Sequence, residues 1–299
     1  MMTRLSLIAL LCAGGLAVAQ EGGTGEEPLI TFSDQEVENF ILTFEQTYKN
    51  KDLPQEDAVA TLANLTNAYR YLESLGDERT KEQLKLQKEI VTLVGKKGLF
   101  ARKRDLVNLE CARTLGDLGD ENGAAPLRKW LERVLDEKSP NPMAVEYGFR
   151  SLAWVGPDDR QSLDFVIDFA TKGKHPDPGV AAQAIRACKE WRGMDGKDRK
   201  EAFDKICGYL QGLYSKWKGG DPKQRGVYET RYKAVEADGM DALKELGNGT
   251  KWTEPNQARD WFNDNKKKKW ENYIGPKFRV KEPPPAEKPA GEGEEKPEG

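Results

Sequence analysis

Ser33-Asp34-Gln35-Glu36 opens the first helical pattern in the chain. Serine followed three places later by glutamate is a capping box, each side chain meeting the other's backbone amide. Val37, Phe40, Ile41, Phe44 and Tyr48 follow at the spacing of one helix face. Leu53-Pro54 interrupts the pattern. A second helix is predicted from about Gln55 to Leu75, with Leu62, Leu65, Tyr69 and Leu72 on one face and Gly76-Asp77 closing it. A third carries Leu84, Ile90, Val91 and Val94 and ends at Gly95 and Gly98. Further on, Phe203, Ile206, Leu210, Leu213 and Trp217 stripe the segment 197–218, and 227–246 reads as another helix. No long alternation rich in Val, Ile and Thr occurs, so a sheet has nothing to grow from. The expected class is all-α.

Several of these helices end alike. Tyr69–Asp77, Ala112–Asp120, Phe149–Pro157 and Ile185–Gly193 each carry an arginine two places before an apolar position. Those apolar positions are Leu72, Leu115, Leu152 and Cys188, and they recur at intervals of about 40 residues. Two helices per period of that length predict stacked helix pairs, because no single pair can bury its apolar face alone.

Cys111–Asp120, followed by Ala124-Ala125-Pro126-Leu127, resembles a HEAT or HEAT-like repeat of the phycobilisome-lyase type. That family places small residues on the inner helix, then Leu-Gly, a second Leu-Gly-Asp, and a Pro-Leu that starts the next helix. The resemblance covers roughly Ala58 to Leu213 and is closest at 111–127. It departs from the pattern at Pro157, where aspartate is usual, at Trp191 in an apolar slot, and at the displaced Gly193. It implies a right-handed α-solenoid whose repeats serve as an interaction scaffold. The leader described next and the closing Trp252…Trp261…Trp270 segment are similar to secreted HEAT-repeat proteins of planctomycete-type bacteria, and no activity follows from that likeness.

The ends of the chain are of other kinds. Arg4, an uncharged apolar or small run from Leu5 to Val18, and Ala17-Val18-Ala19 make a secretory signal peptide cut before Gln20. The run is too short to span a bilayer. Residues 20–30 form a flexible segment, 31–248 the solenoid, and 249–280 a tryptophan-rich helical cap. Residues 281–299, rich in Pro, Glu, Lys and Gly, are expected to be disordered. The expected location is periplasmic or extracellular. Disulfides are permitted there, and past the leader Cys111, Cys188 and Cys207 fit either one bridge with a free thiol or three buried thiols.

Composition limits the chemistry. Lys and Arg total 47 against 50 Asp and Glu, which removes the basic footprint a nucleic-acid binder needs. One histidine, His175 in a Pro-rich turn, argues against a His-based metal site or a Ser/His/Asp machine. It also disfavours an enzyme, such as a lyase by analogy with the family. No cofactor, metal or catalytic residue is expected, and no transmembrane segment. Two residues turn a helix by about 200°, so Arg70, Arg113, Arg150 and Arg186 point away from the core as a ladder along one face. Trp154, at i+4 from Arg150, is placed for a cation–π contact. These five are the candidate contact residues for a protein partner. An anionic envelope polymer is the alternative ligand. Lys266–Lys269 would serve it as a second basic patch, or simply form the solvated face of a last helix. Ordinary pairs with Glu73, Asp117 and Glu190 account for the ladder equally well.

Overall fold

A computed structural model describes residues 30–155 and 159–279. The expected signal peptide, nearly all of the 20–30 segment, Gly156-Pro157 and the expected disordered tail lie outside the described residues. Ser33 caps the first helix as its sequence requires: its hydroxyl accepts from the Glu36 amide and Glu36 accepts in return from the Ser33 amide. A second capping box, Thr80 with Gln83, opens the third helix.

Among the described residues there are eleven α-helices: α1 Asp34–Lys49, α2 Gln55–Ser74, α3 Lys81–Thr92, α4 Asp105–Leu118, α5 Ala124–Leu135, α6 Pro142–Val155, α7 Arg160–Thr171, α8 Pro178–Glu190, α9 Gly196–Gly219, α10 Arg225–Leu246 and α11 Pro255–Asn265. No strand occurs there, only one antiparallel bridge between Met194 and Tyr273. The expected all-α class is therefore observed. No helix among the described residues is long and apolar enough to cross a membrane.

The even-numbered helices form a row in which α2 packs on α4, α4 on α6, α6 on α8 and α8 on α10. Four of them also carry an odd-numbered neighbour: α1 on α2, α5 on α6, α7 on α8 and α9 on α10. The equivalent positions Leu72, Leu115, Leu152 and Cys188 are all buried in the even helices. The Leu-Gly of the repeat-like motif has a steric reason. A β-carbon on Gly116 would lie 2.5 Å from Ser151 Oγ and 2.9 Å from Ser151 Cα, so α4 and α6 touch at this point. Gly119, at φ +66°, then closes α4 in the left-handed region, its amide donating to the Leu115 carbonyl.

Three details differ from the sequence expectation. Leu84 is exposed, because the core face of α3 runs through Leu86, Ile90 and Val91. After Thr92 the helix widens into a π-helical turn, Leu93–Lys97, that brings both Leu93 and Val94 inward. Lys266–Lys269 do not lie on the last helix. α11 stops at Asn265, whose carbonyl takes the Trp270 indole N–H, and the four lysines follow as an exposed turn.

Cys111, Cys188 and Cys207 are free and buried, so the three-thiol alternative holds. Trp191 is fully buried. Trp252, Trp261 and Trp270 surround Phe203 at centroid distances of 5.7, 5.4 and 5.5 Å, which seats α11 on α9.

Candidate functional site

The four arginines lie on α2, α4, α6 and α8, each two residues before a buried position, but their surroundings differ. Arg70 is exposed and makes no ion pair among the described residues. Arg113 is paired within its own helix, Nε to Glu110 at 2.7 Å and Nη1 to Asp117 at 3.5 Å. The Arg150 guanidinium lies 4.6 Å from the Tyr147 ring centroid and 5.1 Å from that of Trp154, with Nη1 at 3.4 Å from Glu146. Arg186 reaches out of its helix: Nε and Nη2 grip both oxygens of Asp238 on α10 at 3.0 and 3.2 Å. The i+4 partner expected from sequence, Glu190, is not used; the guanidinium makes two charge-assisted bonds to Asp238 instead. The expected Arg70–Glu73 pair is likewise absent among the described residues, whereas Arg113–Asp117 and the Arg150–Trp154 contact are present. Asp238 holds the Arg186 pKa above the usual guanidinium range, and Glu110 does the same for Arg113.

Between Arg150 and Arg186 lies a cleft of about 100 Å³, lined also by Glu146, Gln183 and Glu190. Its rim mixes both signs of charge. Trp154, one turn on from Arg150, is half-buried, and its indole N–H is buried with no hydrogen-bond partner among the described residues. A buried donor left without an acceptor is costly, and Arg150 Nε beside it is buried without a partner among the described residues as well.

The end of the described chain returns to this face. After Trp270 it pairs with Met194 through Tyr273, with N···O distances of 2.9 and 2.8 Å. The Gly275 amide donates to the Trp191 carbonyl at 2.9 Å, and a β-carbon there would come within 2.7 Å of two carbonyl oxygens at the end of α8. The turn Pro276–Phe278 then places the Lys277 ammonium 3.1 Å from the Trp154 ring centroid and the Phe278 ring edge-on to it at 6.4 Å. Arg192, which donates to the Gly119 carbonyl at 2.8 Å, lies 5.6 Å over Phe278. Arg279 closes the segment on Glu245 of α10 at 2.8 Å. Desolvation pulls the Lys277 pKa down; the nearby Arg150 and Arg70 add to this, while Asp117 and Glu190 oppose it. One side chain thus feels charges from α2, α4, α6 and α8.

Helical spacing does not single out Asp238, Arg192, Lys277 or Phe278. Phe278 belongs to a stretch, Trp270, Tyr273, Ile274 and Phe278, whose aromatic and apolar residues signal a segment that docks before the polar tail. His175 sits in a loop with Nδ1 accepting from the Asp177 amide at 3.1 Å. Among the described residues no group of three or more His, Cys, Asp or Glu side chains is placed to hold a metal ion. Comparison of the chain with protein-family models, with curated proteins and with solved structures finds no match.

Proposed function

We propose that this chain is an exported, non-catalytic scaffold: a right-handed α-solenoid of HEAT-like helix pairs, capped by α11, that holds a protein partner on the face formed by its even-numbered helices. The row α2–α4–α6–α8–α10 supports the solenoid reading, since each member packs on the next. The observation that carries the functional reading is the centre of that face. Arg150 lines a cleft with Tyr147 and Trp154 packed on its guanidinium, and Trp154 is itself covered by Lys277 and Phe278 of the returning chain. Trp, Tyr and Arg are the residue types that dominate protein–protein contact energies.

Charge separates this reading from the alternative, an anionic envelope polymer. A polyanion site needs a run of unopposed cations. Here Glu110, Asp117, Glu146 and Asp238 are interleaved with three of the four arginines, which favours a partner of mixed charge. Arg70 and the exposed Lys266–Lys269 turn are what favour the polymer.

A photo-crosslinking amino acid placed at Arg113 on α4, or at exposed Lys129 on α5 as the control, tests the proposal in native envelope extract. A discrete protein adduct from position 113 that persists at high salt, and is absent from position 129, is the expected result. Identical adducts from both positions refute the assignment of the face. Retention of polysaccharide alone, lost at high salt, replaces the protein partner with the polymer.

A further inference from the structure

A cavity of about 510 Å³ opens where the N-terminal ends of α4 and α6 meet the C-terminal end of α5. It is separate from the face just described, which engages the C-terminal ends of α4 and α6. Phe100, Leu109 and Trp130 give it an apolar wall, and Arg102, Lys103 and Arg133 line it as well. None of these three cations makes an ion pair among the described residues, although Asp105 and Glu137 also line the cavity. Arg133 lies 5.4 Å over the Phe100 ring. Lys103 has φ +57°, a conformation that crowds a β-carbon against the following carbonyl. The start of α4 is already served, the Leu106 amide donating to Gln55 Oε1 at 3.0 Å, so the positive character of the cavity rests on the side chains of Arg102, Lys103 and Arg133.

Asn108 decides what kind of anion fits. It lines the cavity, its Oδ1 is buried without a hydrogen-bond partner, and its Nδ2 donates to nothing among the described residues. A side-chain amide with no protein partner at either end among the described residues matches one group well: a peptide unit, which offers a donor and an acceptor side by side. Rotation about χ2 brings either end of Asn108 to the cavity.

We propose that this cavity binds the C-terminal residues of a peptide with a free carboxylate. The carboxylate sits among Arg102, Lys103 and Arg133. The last side chain, apolar, packs on Phe100, Leu109 and Trp130. The final peptide unit pairs with the Asn108 amide. This site does not depend on the partner face proposed above.

The test is fluorescence anisotropy with the full chain and a hexapeptide that ends in leucine and carries a dye at its N-terminus. Saturable binding of the free acid is expected, with the C-terminal amide of the same peptide at least about tenfold weaker, the loss of charge-assisted contacts. The double variant Arg102→Ala/Arg133→Ala should bind the acid no better than the amide. Arg102→Glu, a single change at an exposed position, should act in the same direction without a loss of helicity. Asn108→Leu should weaken acid and amide alike. Equal affinity for acid and amide, or no saturable binding of either, overturns the proposal. Inorganic phosphate that displaces the peptide as well as N-acetyl-leucine does would also overturn it, making the cavity a plain anion site.

Discussion

Arg199 is the charged side chain whose removal should report most directly on how the C-terminal segment is held. It lies in the first turn of α9 and is buried. Its Nε donates to the Leu246 carbonyl at 2.7 Å, its Nη1 to the Glu271 carbonyl at 3.2 Å, and its Nη2 to Asn248 Oδ1. Trp270 and Tyr273 flank the guanidinium at 5.6 Å each. No carboxylate among the described residues lies within ion-pair distance, so the cation is solvated by oxygens from the end of α10 and from the returning chain. Replacing it by methionine keeps most of the volume and removes all three donors. An acceptor left buried and unpaired costs about 1–3 kcal/mol, and two of the three bonds are only partly buried. The energy regained by no longer burying an unpaired cation offsets part of the loss. We expect Arg199→Met to destabilise the fold by about 3 kcal/mol, a Tm lower by about 6–12 °C for a chain of this size. Arg199→Lys, which reaches one acceptor, should fall between the two. Thermal melting followed by circular dichroism reads the stability, and hydrogen exchange at the Tyr273 and Gly275 amides reads the docking. A Tm for Arg199→Met equal to or above that of the wild type would refute the reasoning, because it would mean that desolvation outweighs the three hydrogen bonds.

Other consequences follow from close contacts, strain and burial. Gly116→Ala forces a β-carbon into Ser151 where α4 meets α6, and should cost about 1–3 kcal/mol, read as a lower urea midpoint; Ser151→Gly in the same chain should recover part of it. Lys103→Gly relieves a left-handed backbone that costs about 1–2 kcal/mol, less the roughly 0.5–1 kcal/mol of extra entropy glycine has in the unfolded chain, and should give a modestly higher Tm. Burial pushes the thiol of Cys188 up to about 12 and that of Cys207 up to about 11, and raises Cys111 as well. Iodoacetamide should therefore leave all three unlabelled in the native chain at pH 8 and label them on unfolding. The sign of the accompanying pH effect is fixed: above the ordinary thiol value of 9.0 the unfolded chain sheds protons that the folded chain keeps. Stability should fall between about pH 9 and 11 by about 1.4 kcal/mol per pH unit for each fully buried thiol, and an unchanged urea midpoint across that range would contradict the burial of these groups.

Much of the helical framework is legible in the sequence because its causes are local. The Ser33–Glu36 box needs only four consecutive residues. The buried positions Leu62, Leu65, Tyr69 and Leu72 follow from helical spacing alone. The Arg113–Asp117 and Arg150–Trp154 contacts lie one helical turn apart and form as the spacing predicts. Where a local partner competes with one from another helix, spacing is a poor guide. Arg186 has Glu190 one turn away and takes Asp238 instead, from 52 residues further along the chain. The widened turn at Leu93–Lys97 is equally hidden, since glycines at 95 and 98 mark an interruption without stating its geometry.

Near neighbours in the chain suffice to set the helices, most of their ends, the face each one buries and the approximate repeat that relates them, because helical hydrogen bonds and the spacing of apolar residues are short-range properties. Three outcomes need the packed molecule: which arginines are neutralised, the return of the segment after Trp270 that sets Lys277 on Trp154, and the meeting of Arg102, Lys103, Asn108 and Arg133 in one cavity. Each depends on contacts between helices far apart in the chain, where desolvation and shape rather than residue spacing select the partner.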